Sequence, residues 1–341
     1  MKLAIHNSKF GFHPRWIAYC ERMNIPFKRV NCFSNDLVAQ TADCQALMWH
    51  VNQGNQRDMM LARQILAAFE HTGTLVFPDF RTAWHFDDKL GQKFLFERIE
   101  APIVPTYAFF DKAQALAWIK QTSFPKVFKL RGGAGSQNVS LIYNQRQAHR
   151  LVRQAFGKGF PKYHGWSNLK ERWYKYRRGK GAAKEVLKGI IRLLYPPAYA
   201  RLGAREAGYL YFQDFIPQND SDIRIIVIGD RAFGLKRYVR ENDFRASGSG
   251  NCAYDRDLFD ERCLKISFSI QEQLKLQVAA LDFVFTPEGL PLVVEISYGY
   301  NERVYDPCPG YWDRELIWHE AKTIKEEWIV DLVLKQINDK N

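Results

Sequence analysis

The chain has 341 residues, and its 49 lysines and arginines against 37 aspartates and glutamates give a formal net charge of +12. With 46% hydrophobic and 14% aromatic residues it has ample material for buried cores, which excludes wholesale disorder and favours two or three domains at this length. The excess positive charge indicates a polyanionic partner: a nucleic acid, an acidic glycan, a nucleotide or an anionic membrane surface.

The first 85 residues alternate short apolar runs with amphipathic stretches, the pattern of a small α/β domain with a parallel sheet. The N-terminus turns polar after a few residues, so it lacks the apolar core of a signal peptide. We therefore expect a cytoplasmic protein, with a peripheral position at the inner face of the membrane left open. The predicted strands are 3–7, 27–32, 46–51 and 75–77, and the predicted helices are 15–23 and 57–70.

A second predicted region, 86–157, contains a helix at 87–97, a strand at 104–110 and a helix at 112–120. Two predicted antiparallel strands, 127–130 and 139–143, flank a glycine-rich turn and precede a helix at 146–156. The strand-loop-helix setting of a Walker loop is missing, as are its motif and the dinucleotide fingerprint. Any nucleotide site must therefore come from another architecture.

Residues 158–205 look like an insertion, because they hold 13 lysines and arginines against two acids, a balance of +11. The rest of the chain is nearly neutral. Within this segment a predicted helix at 184–194 combines an apolar face with basic residues, which suits an anionic membrane surface. A helix packed on its own domain, and aromatic stacking on bases or sugars, stay open. The apolar face is formed by Val186, Leu187, Ile190, Ile191 and Leu194, the basic residues are Lys184, Lys188 and Arg192, and the segment's aromatics include Trp166, Trp173, Tyr174 and Tyr176.

The last predicted region, 206–341, begins with strands at 209–216, 223–228 and 232–239. A helix at 260–279 then leads to two strands, 281–286 and 291–297, joined by a Pro-Glu-Gly turn that signals a hairpin. We predict a helix over 314–337.

Two carboxylates, Asp282 and Glu295, stand on the two arms of that hairpin among apolar residues. Buried charges need a partner or a metal, and facing carboxylates suit Mg²⁺, which prefers oxygen ligands and substrate phosphates. A structural salt bridge explains them equally well. Lys129 with the following Gly/Ser loop offers a cation and backbone N–H groups that can hold phosphates, although a strand-end lysine usually points to solvent.

Taken in order, these motifs resemble the ATP-grasp superfamily, most closely the branch of ribosomal-protein glutamate ligases and glutathione synthetases. The resemblance covers about 85–300, and the α/β domain before it matches the pre-ATP-grasp domain that such proteins carry. The motifs are Asp88-Lys89, Pro125-Lys126-Val127-Phe128-Lys129, Gly132-Gly133-Ala134-Gly135-Ser136, Gln213-Asp214-Phe215-Ile216-Pro217, Asp222-Ile223-Arg224, Ile228-Gly229-Asp230-Arg231, Asp243-Phe244-Arg245, Leu281-Asp282-Phe283 and Val294-Glu295-Ile296-Ser297.

The resemblance implies an α/β fold, ATP and Mg²⁺ as cofactors, and a role for each matching residue. It implies that Lys89 and Lys129 bind the ATP phosphates under a lid that contains Gly132, Gly133, Gly135 and Ser136. The adenine would contact Asp214, Phe215 and Ile216, the ribose would contact Asp222, and Mg²⁺ would be bound by Asp282, Glu295 and Ser297. Arg237 and Arg245 would stabilise the transferring phosphoryl group, and Arg224 would bind a substrate carboxylate.

Two serines depart from the family pattern. Ser297 stands where family members usually have asparagine at the second metal position, and Ser247 replaces an asparagine that follows Asp-Phe-Arg in many of them. Serine ligates Mg²⁺ weakly or through water. These departures put full activity in question, so an ATP-binding module without turnover is one alternative, and a basic nucleic-acid-binding protein is another.

The resemblance implies an ADP-forming carboxylate–amine ligase that acts through an acyl-phosphate. The tail from Tyr298 to Asp313 resembles ATP-grasp proteins associated with bacterial surface polysaccharide synthesis, which leads us to expect a uronic-acid sugar as the carboxylate and an amine or amino acid as the acceptor. The basic segment would then guide an acidic glycan or lipid-linked sugar. His50, Asn52 and Gln53 are candidates to line the acceptor site.

Overall fold

The computed structural model describes residues 1–132, 138–161, 165, 169, 172–173, 176–177, 182–195, 205–241 and 243–340. Two units are present: residues 1–104 together with 216–341 form the first, and residues 105–215 form the second. The boundaries predicted from sequence, at 85/86, 157/158 and 205/206, stay predictions. Several predicted residues lie outside the described set, namely Gly133, Gly135, Ser136, Trp166 and Tyr174, as does the side chain of Leu194.

The first unit opens with a four-stranded sheet in the order β2-β1-β3-β4, in which every pair is parallel. This confirms the sheet predicted from the alternating pattern. Two short helices were not predicted, because four or five residues carry too little periodicity to detect. The elements are β1 (Leu3–His6), α1 (His13–Arg22), β2 (Phe27–Val30), α2 (Leu37–Thr41), β3 (Ala46–Met48), α3 (Gln56–His71), β4 (Leu75–Phe77), α4 (Phe80–Ala83) and α5 (Lys89–Arg98).

The second unit contains an antiparallel sheet in the order β5-β8-β6-β7. Helices α6 and α7 cover it, and their apolar residues Ala115, Ile119, Ala148 and Val152 join Phe212 in a separate core. The elements are β5 (Thr106–Phe109), α6 (Lys112–Gln121), β6 (Lys126–Lys129), β7 (Val139–Ile142), α7 (Gln145–Ala155), α8 (Ala183–Leu194) and β8 (Leu210–Asp214).

The chain then returns to the first unit and builds an antiparallel sheet in the order β13-β12-β9-β10-β14-β15, with β11 paired to β10. Its elements are β9 (Ser221–Ile228), β10 (Arg231–Tyr238), β11 (Cys252–Ala253), α9 (Glu261–Leu274), β12 (Val278–Phe285), β13 (Pro291–Ser297), β14 (Gly310–Trp312), β15 (Trp318–Glu320) and α10 (Glu327–Lys340). The predicted hairpin is confirmed as β12–β13.

The two sheets of the first unit share a hydrophobic core, because α10 contributes to both. Ile329 and Val333 of α10 are buried in one cluster with Phe77 of the first sheet and Ile226 of the second. The α10 helix is also tied to α1, since the Tyr19 hydroxyl donates to Asp331 at 2.7 Å. Among the described residues, no helix is long and apolar enough to cross a membrane.

Two predicted helices near the end of the chain were wrong in part. The helix predicted over 260–279 ends at Leu274, because Lys275 takes a left-handed conformation with φ of 52° and β12 begins at Val278. Within the helix predicted over 314–337, residues 318–320 instead form β15, which pairs with β14. Contact between the tilted rings of Trp312 and Trp318, with centroids 4.5 Å apart, favours that hairpin, and the helix begins only at Glu327.

Candidate functional site

One face of the second sheet changes from apolar to charged along its strands. Side chains two residues apart in a strand point to the same face, so Asp222 and Arg224 of β9 share a face with Ile226 and Ile228, which lie in the shared core. The same change occurs on β10 from Phe233 and Leu235 to Arg237, and on β12 from Val278 and Ala280 to Asp282. The strands therefore bring charged residues together at one end of a buried face.

These residues form a chain of ion pairs across the sheet. Arg224 grips Asp282 with both Nε and Nη2, the latter at 2.7 Å from Oδ2. Arg237 donates from Nε and Nη2 to Asp222 at 2.6 and 2.7 Å, and its Nη2 lies 3.0 Å from Oδ2 of Asp282. Such two-pronged arginine–carboxylate contacts fix both partners in one geometry.

Glu295 stands beside this chain of ion pairs, at the sheet edge, and forms a separate pair with Lys89 of α5. It lies directly opposite Asp282 in the β12–β13 register, next to a shift in that register. The Nζ atom of Lys89, at the start of α5, is 3.3 Å from Oε1 of Glu295. Gln92, one turn further along α5, donates to the Ile296 carbonyl at 2.8 Å and accepts from the Ile296 N–H at 3.3 Å. Gln92 therefore fixes Lys89 against the strand, a positioning role that we did not predict.

The electrostatics of the cluster depend on burial. Burial alone would raise the pKa of Asp282, but Arg224 and then Arg237 outweigh it and hold that pKa well below its usual range. Burial raises the pKa of Asp222, and repulsion from Asp282 also raises it. The contacts with Arg237 lower this pKa but do not outweigh the other two effects. Three cations and three carboxylates make the cluster formally neutral; they are Lys89, Arg224 and Arg237 with Asp222, Asp282 and Glu295.

The cluster bears directly on the predicted metal ligands. Asp282 and Glu295 face each other as predicted. The third predicted ligand, Ser297, makes local hydrogen bonds: its hydroxyl donates to the Gly299 carbonyl at 2.9 Å and accepts from the Gly299 N–H at 3.1 Å. Across the described part of the chain, no group of three or more His, Cys, Asp or Glu side chains could hold a metal ion. Two carboxylates in a neutral cluster suit a magnesium ion that arrives with nucleotide phosphates rather than a bare ion.

In the second unit, two buried lysines of β6 contact the end of β8. Lys129, predicted to hold phosphate, donates to Oε1 of Gln213 at 2.5 Å. Lys126, which we did not select, donates to Oδ1 of Asp214 at 2.5 Å and lies over the Tyr107 ring, 5.2 Å from its centroid. The lysine side chain usually reaches water, so burial of two on one short strand indicates a functional or structural demand for charge.

The remaining predicted site residues are spread along the chain. Phe215 ends the second unit and Ile216 resumes the first, so the predicted adenine segment coincides with the boundary. Gly132 lies three residues after the last residue of β6. Arg245 pairs with Asp243, with 2.7 Å between Nη2 and Oδ2, in the loop after β10.

The ring of His50 is enclosed rather than exposed to an acceptor. It stacks on Phe12 with centroids 3.7 Å apart, and its Nδ1 accepts the Phe12 N–H at 3.0 Å. A Cβ on Gly11, where φ is +61°, would lie 2.1 Å from His50 Nδ1, and one on Gly299 would lie 3.2 Å from Nε2. The prediction that His50 lines an acceptor site therefore finds no support in its geometry, and the ring instead joins the tail after β13 to the first sheet.

Comparison with known proteins agrees with this architecture. Residues 202–301 match the family model of the RimK-like ATP-grasp domain, whereas no curated protein matches the chain in sequence. A RimK domain ATP-grasp protein from Sphaerobacter thermophilus superposes with a TM-score of 0.55 at 17% identity, covering 98% of this chain and 100% of that one.

Two further solved structures are similar over their whole length. The D-cycloserine synthetase DcsG gives a TM-score of 0.59 at 12% identity, with 99% of this chain and 100% of that chain covered. The ATP complex of D-alanine–D-alanine ligase from Bacillus anthracis gives 0.55 at 12% identity, with 100% and 99% covered. The chain therefore has the α/β ATP-grasp fold, and the resemblance of its motifs to the ATP-grasp superfamily is confirmed.

Proposed function

We propose that the chain is an ATP-dependent, ADP-forming ligase that joins a carboxylate to an amine. The observation that carries the proposal is the facing pair of carboxylates, Asp282 and Glu295: Asp282 is buried between arginines, and Glu295, whose side chain is 28% exposed, pairs with Lys89. The ATP-grasp fold supports ATP as the nucleotide substrate, since a protein of similar structure, D-alanine–D-alanine ligase, is complexed with ATP.

Magnesium fits this donor set when it is carried by phosphates. Asp282 and Glu295 would supply its protein oxygens, and the ion would neutralise charge on the phosphates. Because Arg224 and Arg237 already balance the carboxylates, binding of nucleotide and of metal should be interdependent.

The protein's residues have separate tasks in the proposed reaction. A carboxylate oxygen of the substrate attacks the γ-phosphorus of ATP, ADP leaves, and an acyl-phosphate forms. The amine nitrogen then attacks the acyl carbon, phosphate leaves, and the nitrogen releases a proton. Arg237 and Arg245 would stabilise the negative charge of the transferring phosphoryl group, and Lys89 would hold the phosphates before transfer.

The substrate proposal rests on the tail alone. Its resemblance to polysaccharide-associated ATP-grasp proteins supports a uronic acid as the carboxylate and an amino acid or amine as the acceptor. A matrix of uronic acids against amines, with ADP release as the readout, would identify the pair.

Replacement of the facing carboxylates tests the proposal. We expect Glu295→Gln and Asp282→Asn to lower ADP release by about 100-fold or more, because each removes a group that would hold the metal and phosphates. The matched controls are Glu261→Gln and Asp257→Asn, whose side chains are 63% and 88% exposed and pair only at the surface. Full turnover in Glu295→Gln would contradict the assignment.

A second function, ATP binding without turnover, is favoured by the local contacts of Ser297. Isothermal titration with a non-hydrolysable ATP analogue separates the two. Nucleotide binding with no ADP release for any substrate pair, and ADP release gained in Ser297→Asn, would favour the binding module.

A further inference from the structure

Among the residues that the structure describes, the contacts of helix α8 in the second unit lie on one of its sides. A Cβ on Gly189 would lie 3.0 Å from both Leu169 Cδ1 and Arg172 Cδ, and one on Gly165 would lie 2.9 Å from Leu193 Cδ2. Glycines on both partners therefore allow a close approach of α8 to the preceding helical residues. Glu185 reinforces this side through its ion pair with Arg172.

A second apolar stripe on α8 faces away from that contact. Leu187, Ile190 and Ile191 are 58%, 48% and 51% exposed, and their i, i+3, i+4 spacing places them on one helical face. The residues that pack, Gly189 and Leu193, do not belong to the apolar face predicted from the sequence, whereas these three residues do. Neighbouring large aliphatic side chains on one exposed face are typical of an interaction surface.

A basic row runs beside the stripe. Lys184 and Lys188 are exposed and stand one helical turn apart, and Arg192 follows one turn later. Glu185 forms ion pairs with both Arg172, across the packed side, and Lys188, in the basic row. The row lies in the segment that carries +11 of the chain's +12 charges.

Exposed aromatic rings lie in the same segment. Trp173 is 52% exposed, Tyr176 43% and Tyr195 71%, and the first two rings are 6.0 Å apart. Trp and Tyr favour the boundary between hydrocarbon and water, because their rings are apolar and their N–H and O–H groups are polar.

We propose that α8 docks in the plane of an anionic membrane surface, with Leu187, Ile190 and Ile191 inserted and Lys184, Lys188 and Arg192 against the lipid phosphates. A helix with a moderate apolar stripe beside a basic row is the type that lies in the interface. This inference goes beyond the proposed ligase activity and does not depend on it, since docking requires no turnover.

Two other occupants fit the surface less well. A nucleic acid would engage the basic row and aromatic rings but would leave the aliphatic stripe in water. A second copy of the chain would cover the stripe only by bringing two segments of charge +11 together, which repel each other.

Co-sedimentation of the full chain with vesicles tests the proposal. We expect binding to phosphatidylglycerol-containing vesicles but not to pure phosphatidylcholine, and weaker binding at high salt. Each of Lys184→Gln, Lys188→Gln and Arg192→Gln should lower the partition coefficient about five-fold. The triple variant Leu187→Ser, Ile190→Ser, Ile191→Ser should reduce binding to background. Matched controls on the first unit, Val38→Ser on α2 and Lys335→Gln on α10, should bind normally.

Hydrogen–deuterium exchange provides a second measurement. It uses the unmodified chain, so a folding defect in a variant cannot account for its result. Vesicles should slow exchange of the 183–194 amides. Failure to bind anionic vesicles would overturn the proposal. Without vesicle binding, salt-sensitive binding of single-stranded RNA would assign the surface to nucleic acid, and a dimer lost in the apolar triple variant would assign it to a second copy.

Discussion

Strand β6 carries two buried lysines, Lys126 and Lys129, on only four residues. Lys129 was predicted to hold phosphate, and Lys126 was named only as part of a motif, with no role; both are buried and bonded to the end of β8. The two are three residues apart, so they point to opposite faces of β6 and produce no alternating pattern. Their partners, Asp214 and Gln213, lie more than 80 residues away in the chain. Pattern analysis reads local periodicity and therefore cannot find such pairs.

Gly11 offers a test of how tightly the His50 ring is enclosed. We expect Gly11→Ala to destabilise the first unit by about 1–2 kcal/mol through its left-handed backbone, and by a further ~1–3 kcal/mol because the new methyl displaces His50. Urea denaturation followed by circular dichroism measures both. Gly250→Ala is the matched control, since Gly250 has φ of +71° with nothing within 4 Å. Equal losses in the two variants would show that His50 yields freely.

Among elements, the β12–β13 hairpin was the most predictable. Its turn signal is local and its strands are apolar. The pairing of Asp282 with Glu295 could not be obtained by counting residues outward from the turn, because the register shifts between Asp282 and Phe283, and without that shift Asp282 would lie opposite Val294. The end of α9 was not predictable in the same way, because Lys275 adopts a conformation that sequence usually assigns to glycine. Strands β14 and β15 were missed because three-residue strands depend on pairing, of β14 with β10 and of β15 with β14, rather than on their own propensity.

The ion pairs that join β9, β10 and β12 should be strongly coupled. Arg237→Met leaves Asp222 and Asp282 together without their shared cation, so we expect it to lower the free energy of unfolding by about 3–5 kcal/mol. Adding Asp222→Asn removes one of the two repelling charges and should restore part of the loss. Guanidinium denaturation of the single and double variants measures this coupling. Additive effects of the two substitutions would contradict the ion-pair chain.

For the molecule as a whole, buried histidines should set its acid sensitivity. Burial lowers the pKa of His6, His13 and His85 to about 4, whereas an unfolded histidine titrates near about 6.5. The unfolded chain therefore binds more protons between these values, and stability conferred by the neutral rings is lost as pH falls from about 6.5 to about 4. Asp58, Asp79 and Glu326 act in the opposite sense, because burial raises their pKa.

A His13 variant measures how much one buried histidine contributes to the acid sensitivity of the chain. His13→Gln keeps an acceptor for the His50 N–H, which His13 Nε2 now binds at 3.0 Å. We expect the variant to be less stable than the parent at pH 7. Between pH 6.5 and 4.5 its free energy of unfolding should fall less steeply than that of the parent, and the two slopes should differ by up to about 1 kcal/mol per pH unit. Urea midpoints across this range provide the comparison. An unchanged slope would mean that His13 is protonated in the folded state.

The position of α10 has a consequence for how the chain is made. This helix, near residue 340, supplies Ile329, Val330 and Val333 to the core beneath β4, which is among the first strands synthesised. During translation the first sheet must wait, with an apolar face uncovered, while more than 240 residues leave the ribosome. The second unit, a continuous segment, is complete long before that point. The early strands therefore keep apolar surface exposed during synthesis, which is the kind of surface that chaperones protect.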